Sequence, residues 1–166
     1  FLLLVSFWVI AQLGYSQHKY EVLEWSDEFN YSGAPSTENW GYDLGQSGWG
    51  NNEVQRYTDN LENARVADGK LVIKALKKNG EWTSARLKSE GKQSFKYGRI
   101  EFRAKLPEGS GTWPALWMLG SNFQEVSWPA CGEIDIMEHV GKDFGKVHSS
   151  LHTPSSFGNT QNTAHK

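Results

Sequence analysis

Apolar and polar residues alternate in short runs along most of the chain from Tyr20 onward, and Gly, Asn, Asp and Ser separate the runs. The clearest alternation covers residues 99–106, where four apolar side chains would share one face and four charged side chains the other. A period of two is typical of a half-exposed antiparallel strand. The Asp68-Gly69 pair predicts a hairpin turn, and further strands are predicted in the runs TSARLKSE, TWPALWML and KVHSSLHT. No segment shows a sustained helical period, so the pattern predicts an all-β domain, a β-sandwich or a jelly roll.

One apolar run is interrupted by three carboxylates within six residues, Glu133, Asp135 and Glu138. In a regular strand, Glu133 and Asp135 share one face, and Glu138 falls on the opposite, apolar face. One extra residue in the strand would reset the alternation. A β-bulge at Ile136–Met137, with Met137 as the inserted residue, would return Glu138 to the face of the other two acids.

Three acids on one face suggest a specific chemistry. Retaining glycoside hydrolysis uses two carboxyl groups about 5–5.5 Å apart, one as the nucleophile and one as the proton donor. Crowding of like charges raises the proton affinity of at least one carboxyl, which suits a general acid. The hexapeptide alone leaves open the alternative of a solvent-exposed strand face with its isoleucines buried.

Composition changes this picture in one respect, the aromatic content. The 166 residues include eight Trp, six Tyr and eight Phe. A flat indole suits the apolar face of a sugar ring, so tryptophans beside clustered acids favour a carbohydrate partner. The formal net charge is -2, and the sequence contains no cluster of Lys and Arg, so we expect no nucleic-acid partner.

The first residues form an apolar run of the length of a signal-peptide core, followed by small residues that suit cleavage before Gln17. Residues 1–16 are therefore predicted to be part of a signal peptide that lacks its start, and the protein is predicted to be secreted, monomeric and free of membrane after cleavage. A buried first element is the alternative. The one cysteine, Cys131, implies no disulfide framework.

The acid motif GEIDIMEHVG and its flanks resemble glycoside hydrolase family 16, in its laminarinase-like branch. The flanking matches, in order, are WSDEFN, GWGNNEVQRYT, ADGKLVIKA, TSARLKS, YGRIEFRAKLPEGSGTWPALWML and SSLHT. The resemblance implies a β-jelly-roll sandwich of two curved antiparallel sheets, with a glycan cleft on the concave side. The family domain continues beyond Lys166, so residues 17–166 are expected to be the N-terminal part of a catalytic domain that is incomplete at its C-terminus and unable to fold alone.

Residue by residue, the resemblance implies that Glu133 is the nucleophile, Glu138 the acid/base and Asp135 the group that orients the nucleophile. It also implies a set of cleft residues that contact sugar: Asn52, Arg86, Trp113, Trp117, Trp128 and His152. Trp113 and Trp117 lie four residues apart, so in a strand they would face the same way. The residues alone leave plainer alternatives: core indoles, a turn-capping Asn, a surface Arg and a structural His.

The resemblance implies a secreted retaining endo-β-1,3-glucanase that acts on β-glucan and requires no cofactor. Some family members hold a structural calcium ion on the convex side, and Glu28 and Gly69 match two of its ligand positions. No His/Cys cluster points to zinc. The alternatives are a non-catalytic β-glucan-recognition protein of the same fold, or a hydrolase of mixed-linkage glucan, agarose or galactan.

Overall fold

A computed structural model of the protein describes residues 22–158 in full and residues 161–165 by their backbone. The predicted signal segment 1–16 and the cleavage site before Gln17 lie outside these residues. The strands of the described chain are β1 Gly41–Asp43, β2 Arg56–Tyr57, β3 Ala64–Ala67, β4 Lys70–Ile73, β5 Leu76–Lys78, β6 Glu81–Ser84, β7 Arg86–Lys88, β8 Ala115–Leu119, β9 Glu133–Glu138, β10 Lys146–His152 and β11 Gln161–His165. One short helix, α1, spans Phe123–Val126. The predicted all-β class is confirmed.

The acids lie in the largest sheet. It has the strand order β11-β10-β9-β8 and is antiparallel throughout, so β9 has a hydrogen-bonded strand on each side. The other described strands form the three-stranded group β2-β6-β5 and the pairs β1-β7 and β3-β4. Within the three-stranded group, β2 and β6 run parallel. No helix in the described part of the chain has the length and apolar character needed to cross a membrane.

The β3–β4 hairpin confirms the turn predicted at Asp68-Gly69. Both residues have positive φ, 52° and 66°, as a two-residue type I′ turn requires. The turn aligns Ala67 with Lys70 and continues the pairing to the far end of both strands. Val66 of this hairpin is almost fully buried.

The strand predicted for residues 99–106 is wrong for the described chain, in which no strand pairs with this segment. Alternation shows that a segment can present one apolar face, but a strand also needs a neighbouring edge to complete its hydrogen bonds. The apolar residues Ile100 and Phe102 instead face the large sheet. With Leu116 and Val147 they line an open pocket of about 400 Å³.

The segment before β1 is held in place by hydrogen bonds to one carboxylate, that of Asp27 in the motif WSDEFN. Oδ1 accepts a hydrogen bond from the Phe29 amide at 2.9 Å. Oδ2 accepts from the Tyr31 hydroxyl, the Asn39 amide and the Trp40 indole at 3.1, 3.1 and 2.8 Å. Burial alone would raise the pKa of Asp27, but these hydrogen bonds outweigh burial and lower it.

Both ends of the β8–β9 pair are closed by glycines in tight backbone contact. At one end the Gly120 amide donates to the Gly132 carbonyl at 3.0 Å, and a side chain at Gly120 would overlap the carbonyl of Cys131. At the other end the Gly141 amide donates to the Thr112 carbonyl at 2.9 Å, and a side chain at Gly141 would overlap the carbonyl of Gly109. The length and position of this strand pair are therefore fixed at both ends.

Candidate active site

The strand β9 contains the bulge that the acid motif predicted. Toward β10, the two residues Ile136 and Met137 lie opposite the single residue Ser149. Toward β8, Met137 pairs with Leu116, and Ile136 is the residue without a partner. The position of the bulge at Ile136–Met137 is confirmed, although the residue left over toward β8 is Ile136 rather than Met137.

The bulge brings the three carboxylates to one face of the sheet. Ile136 and Met137 are consecutive, yet both line the apolar pocket on the opposite side, so the alternation is reset before Glu138. Directly opposite residues of paired strands point to the same side. The register then defines an acid face composed of Glu133, Asp135 and Glu138 from β9, Trp117 from β8, and His148, Ser150 and His152 from β10.

Asp135 is at the centre of this face and is held by His152. Both residues are buried, with 5% and 8% of their surfaces exposed. His152 Nε2 lies 3.0 Å from Asp135 Oδ2, and His152 Nδ1 accepts a hydrogen bond from the Gly158 amide at 3.2 Å. Because Nδ1 is an acceptor, the ring proton is on Nε2 and is donated to Asp135. His152 thus orients Asp135, which agrees with the alternative that it is a structural histidine. Its contact with sugar stays a prediction.

Glu133 and Asp135 place their carboxyls close together. One oxygen of each and a ring nitrogen of His152 all lie within 4.8 Å of one another. Burial, followed by the negative charge of Asp135 and the hydrogen bond to it, raises the pKa of Glu133 to about 7. Glu133 therefore keeps its proton to a higher pH than an isolated glutamate does.

Glu138 flanks Asp135 on the other side and is contacted by Trp113. The Trp113 indole N–H donates to Glu138 Oε1 at 3.0 Å. Burial, followed by the negative charge of Asp135, raises the pKa of Glu138, and the indole hydrogen bond partly opposes this shift. The Trp113 ring is half exposed, so it is not a core indole. A carboxyl with raised pKa suits a proton donor.

A cation–π stack lies beside the acids. The Arg86 guanidinium is sandwiched between the rings of Trp117 and Trp49, 4.8 and 4.9 Å from their centroids. Its Nε donates to Asp43 Oδ2 at 3.0 Å, and Lys88 Nζ lies 2.9 Å from the other oxygen of the same carboxylate. Arg86 and Trp117, both predicted as cleft residues, are thus brought into contact. Sequence reasoning missed Trp49, although it lies in the quoted motif GWGNNE.

The remaining predicted residues lie around this site. Trp128 is 5.9 Å from the His152 ring, measured between centroids, and is partly exposed. Asn52 is exposed in a turn at a positive φ of 56°, which fits its turn-forming alternative, and its contact with sugar stays a prediction. Glu28 and Gly69 are exposed, in the segment before β1 and in the β3–β4 turn, so calcium binding there also stays a prediction.

Two residues on the polar face of β10, His148 and Ser150, were also missed by sequence reasoning. Ser150 lies directly opposite Asp135, and its buried hydroxyl has no hydrogen-bond partner among the described residues. The alternation in KVHSSLHT carried the signal, because a period of two places His148, Ser150 and His152 on one side of a strand. Alternation could not predict the register between β9 and β10, which places these side chains on the same face as the acids.

Comparison with known proteins agrees with this geometry. Residues 49–166 match the family model described as Glycosyl hydrolases family 16. A Beta-glucanase of Rhodothermus marinus is 54% identical over 137 residues, which cover 79% of this chain and 48% of the relative. A Glucan endo-1,3-beta-glucosidase of Cryptopygus antarcticus is 44% identical over 140 residues, 79% of this chain and 50% of the relative. The chain thus spans about half the length of these two curated relatives.

A solved structure confirms the predicted architecture. The crystal structure of a laminarinase from Flavobacterium sp. UMI-01 superposes with a TM-score of 0.83 at 49% identity, covering 87% of this chain and 64% of that protein. The predicted jelly-roll class is therefore confirmed. The family match, the identities and the shared fold lead to one conclusion: this chain belongs to glycosyl hydrolase family 16.

Proposed function

We propose that the protein is a retaining endo-β-1,3-glucanase that hydrolyses β-glucan through a covalent intermediate. The observation that carries the proposal is the acid face, where the bulge in β9 aligns Glu133, Asp135 and Glu138 in a partly buried site. Retaining glycosidases need such a pair of carboxyls. The proposal is supported by the names of the relatives, a beta-glucanase, a glucan endo-1,3-beta-glucosidase and a laminarinase.

The first step requires one ionised and one protonated carboxyl. Glu133 attacks the anomeric carbon as Glu138 transfers its proton to the departing glycosidic oxygen, so a glycosyl ester forms on Glu133 and one sugar chain leaves as an alcohol. In the second step Glu138, now a carboxylate, takes a proton from water. The water oxygen attacks the anomeric carbon and releases Glu133. The raised pKa of Glu138 keeps its proton available for the first step.

The raised pKa of Glu133 bears on how the nucleophile becomes ionised. Glu133 must lose its proton before it attacks, so the first step proceeds above the pH at which this carboxyl ionises. His152 holds Asp135 beside Glu133 through the 3.0 Å contact to Oδ2. Asp135 thereby orients the nucleophile and raises its pKa.

The same proposal includes the setting in which the enzyme acts. The apolar run of residues 1–16 supports export, and we propose a secreted, monomeric enzyme. Both chemical steps use only carboxyls and water, so no cofactor is required, and any calcium at Glu28 and Gly69 would be structural. A chelator should then leave the rate unchanged and lower only the melting temperature.

Substitution of the two glutamates tests the function. In the intact protein, Glu133→Gln and Glu138→Gln should each lower the rate of laminarin hydrolysis by about 10²–10⁴-fold while oligosaccharide binding is kept. Glu125→Gln, on the exposed helix α1, is the matched control and should retain the parental rate. Proton NMR of the first products should show the β-anomer.

The substrate panel distinguishes the alternatives. Laminarin should be cut faster than lichenan, agarose or galactan. A protein that binds laminarin but cuts none of the four would be a glucan-recognition protein, and the first products appearing as the α-anomer would refute the retaining mechanism.

A further inference from the structure

The bulge in β9 leaves one backbone carbonyl outside the regular hydrogen bonding between strands. A serine on the next strand, β10, donates a hydrogen bond to this carbonyl. Ser149 Oγ donates to the carbonyl oxygen of Ile136 at 2.9 Å. Ser149 is also the residue of β10 that lies opposite both bulged residues, Ile136 and Met137. Its side chain is exposed on the side of the sheet away from the acids. The contact is therefore specific to the bulge and separate from the acid face.

The position of the bulge decides which residues of β9 are bulged and which keep regular pairing. Asp135 pairs with Ser150 before the bulge and Glu138 pairs with His148 after it. If the bulge moved one position along β9, Asp135 or Glu138 would itself become a bulged residue, and Ile136 or Met137 would turn to the acid face. A side-chain hydrogen bond to the Ile136 carbonyl favours the arrangement in which both bulged residues are apolar and Glu138 keeps regular pairing with His148.

We infer that Ser149 is a positioning residue for Glu138: its hydroxyl fixes the bulge at Ile136–Met137 and so places the acid/base for proton transfer. The inference rests on the proposed function for the role of Glu138. The structural consequence of the inference does not rest on the proposed function. Correct placement of Glu138 also allows it to accept the hydrogen bond from the Trp113 indole at 3.0 Å. Loss of the bulge position would break that hydrogen bond whether or not the protein is an enzyme.

A matched pair of variants in the intact protein tests the inference. Ser149→Thr keeps a hydroxyl, whereas Ser149→Val has the same shape as threonine without it, and both residue types suit a strand. Two substrates separate proton donation from general damage: laminarin, whose departing sugar needs an acid, and a dinitrophenyl laminari-oligosaccharide, whose leaving group does not.

Ser149→Val should lower kcat/KM on laminarin by about tenfold to a hundredfold, the range expected when a catalytic group is displaced. On the dinitrophenyl substrate kcat/KM should fall by less than about threefold, since no acid is needed there. The alkaline limb of the pH profile should shift in the valine variant, and Ser149→Thr should restore both the laminarin rate and the profile. Equal losses on both substrates, or a valine variant with parental kcat/KM on laminarin, would overturn the inference.

A second measurement separates this inference from the proposed function. The Nε1–H resonance of Trp113 should change with pH as Glu138 titrates, and Ser149→Val should abolish this response while Ser149→Thr keeps it. A valine variant whose indole resonance titrates as in the parent refutes the role of Ser149. If Glu138→Gln proves fully active, the proposed function fails, and the indole resonance still decides whether Ser149 holds Glu138 in place.

Discussion

Burial and the negative charge of Asp135 raise the pKa of Glu133 to about 7, so this carboxyl stays protonated at pH values where an isolated glutamate would be ionised. The acid limb of the pH–rate profile should report the loss of this proton from the proposed nucleophile. Asp135 thus raises the pH at which Glu133 ionises.

Asp135→Asn should move the acid limb of kcat/KM to lower pH. The sign follows from the causes of the shift: asparagine removes the negative charge that raises the pKa of Glu133, and its amide can donate a hydrogen bond to the ionised form. The pKa of Glu133 should fall from about 7 toward the ordinary value for glutamate, about 4.3. Laminarin hydrolysis measured from pH 4 to pH 9 checks this, and an acid limb that stays in place or moves to higher pH would contradict it.

At the scale of elements, the loop before β2 is joined to β8 through side chains. Arg86 of β7 lies between Trp49 of that loop and Trp117 of β8, and the Trp49 ring also meets the Tyr57 ring edge-on at 5.5 Å. Trp117 is on the acid face, directly opposite Asp135. The stack therefore fixes the orientation of an indole that is proposed to pack against sugar.

Arg86→Lys should weaken the binding of laminari-oligosaccharides by several-fold. Lysine can keep the ion pair with Asp43 but cannot cover two rings with one flat group, and cation–π contacts are worth about 0.5–2 kcal/mol each. Lys88→Arg is the control, since Lys88 pairs with the same carboxylate. Calorimetry on the inactive Glu133→Gln protein gives both affinities, and equal affinities for the two variants would show that the stack does not support binding.

The success of sequence reasoning differed between elements for physical reasons. The β3–β4 hairpin was predictable because Asp68-Gly69 specifies its own turn locally. The bulge was predictable because three acids in one apolar strand can share a face only if one residue is inserted. The conformation of segment 99–106 was not predictable, because a strand forms only where the edge of another strand is available for hydrogen bonding. Contacts such as Ser149 with Ile136 depend on the register of strands, which alternation within one strand does not specify.

At the scale of the whole molecule, the described chain has little buried apolar surface. Among the described residues, the buried hydrophobic side chains are those of Ala64, Val66 and Ala85. On the face of the large sheet opposite the acids, Ile134 and Leu151 are 47% and 60% exposed. Since apolar burial is the main favourable term in folding, the described part of the chain gains little from it.

The 166-residue chain expressed by itself should therefore melt without cooperativity, aggregate, and lack activity on laminarin, whereas the same residues within the intact protein should be active. The exposed apolar face gives the physical reason for aggregation. Circular dichroism with thermal unfolding and a reducing-sugar assay on the purified chain check this. A cooperative melt together with laminarin hydrolysis would contradict it.

The glycine contacts at the ends of β8 and β9 have a consequence for engineering. The tie between Gly120 and Gly132 lies between β9 and the connection that carries α1 and Trp128. The residues from 121 to 131 should therefore tolerate exchange for a connection of another length, as long as both glycines and their hydrogen bond are kept. The strand that carries the three acids would then keep its place between β8 and β10 while the segment beside it is redesigned.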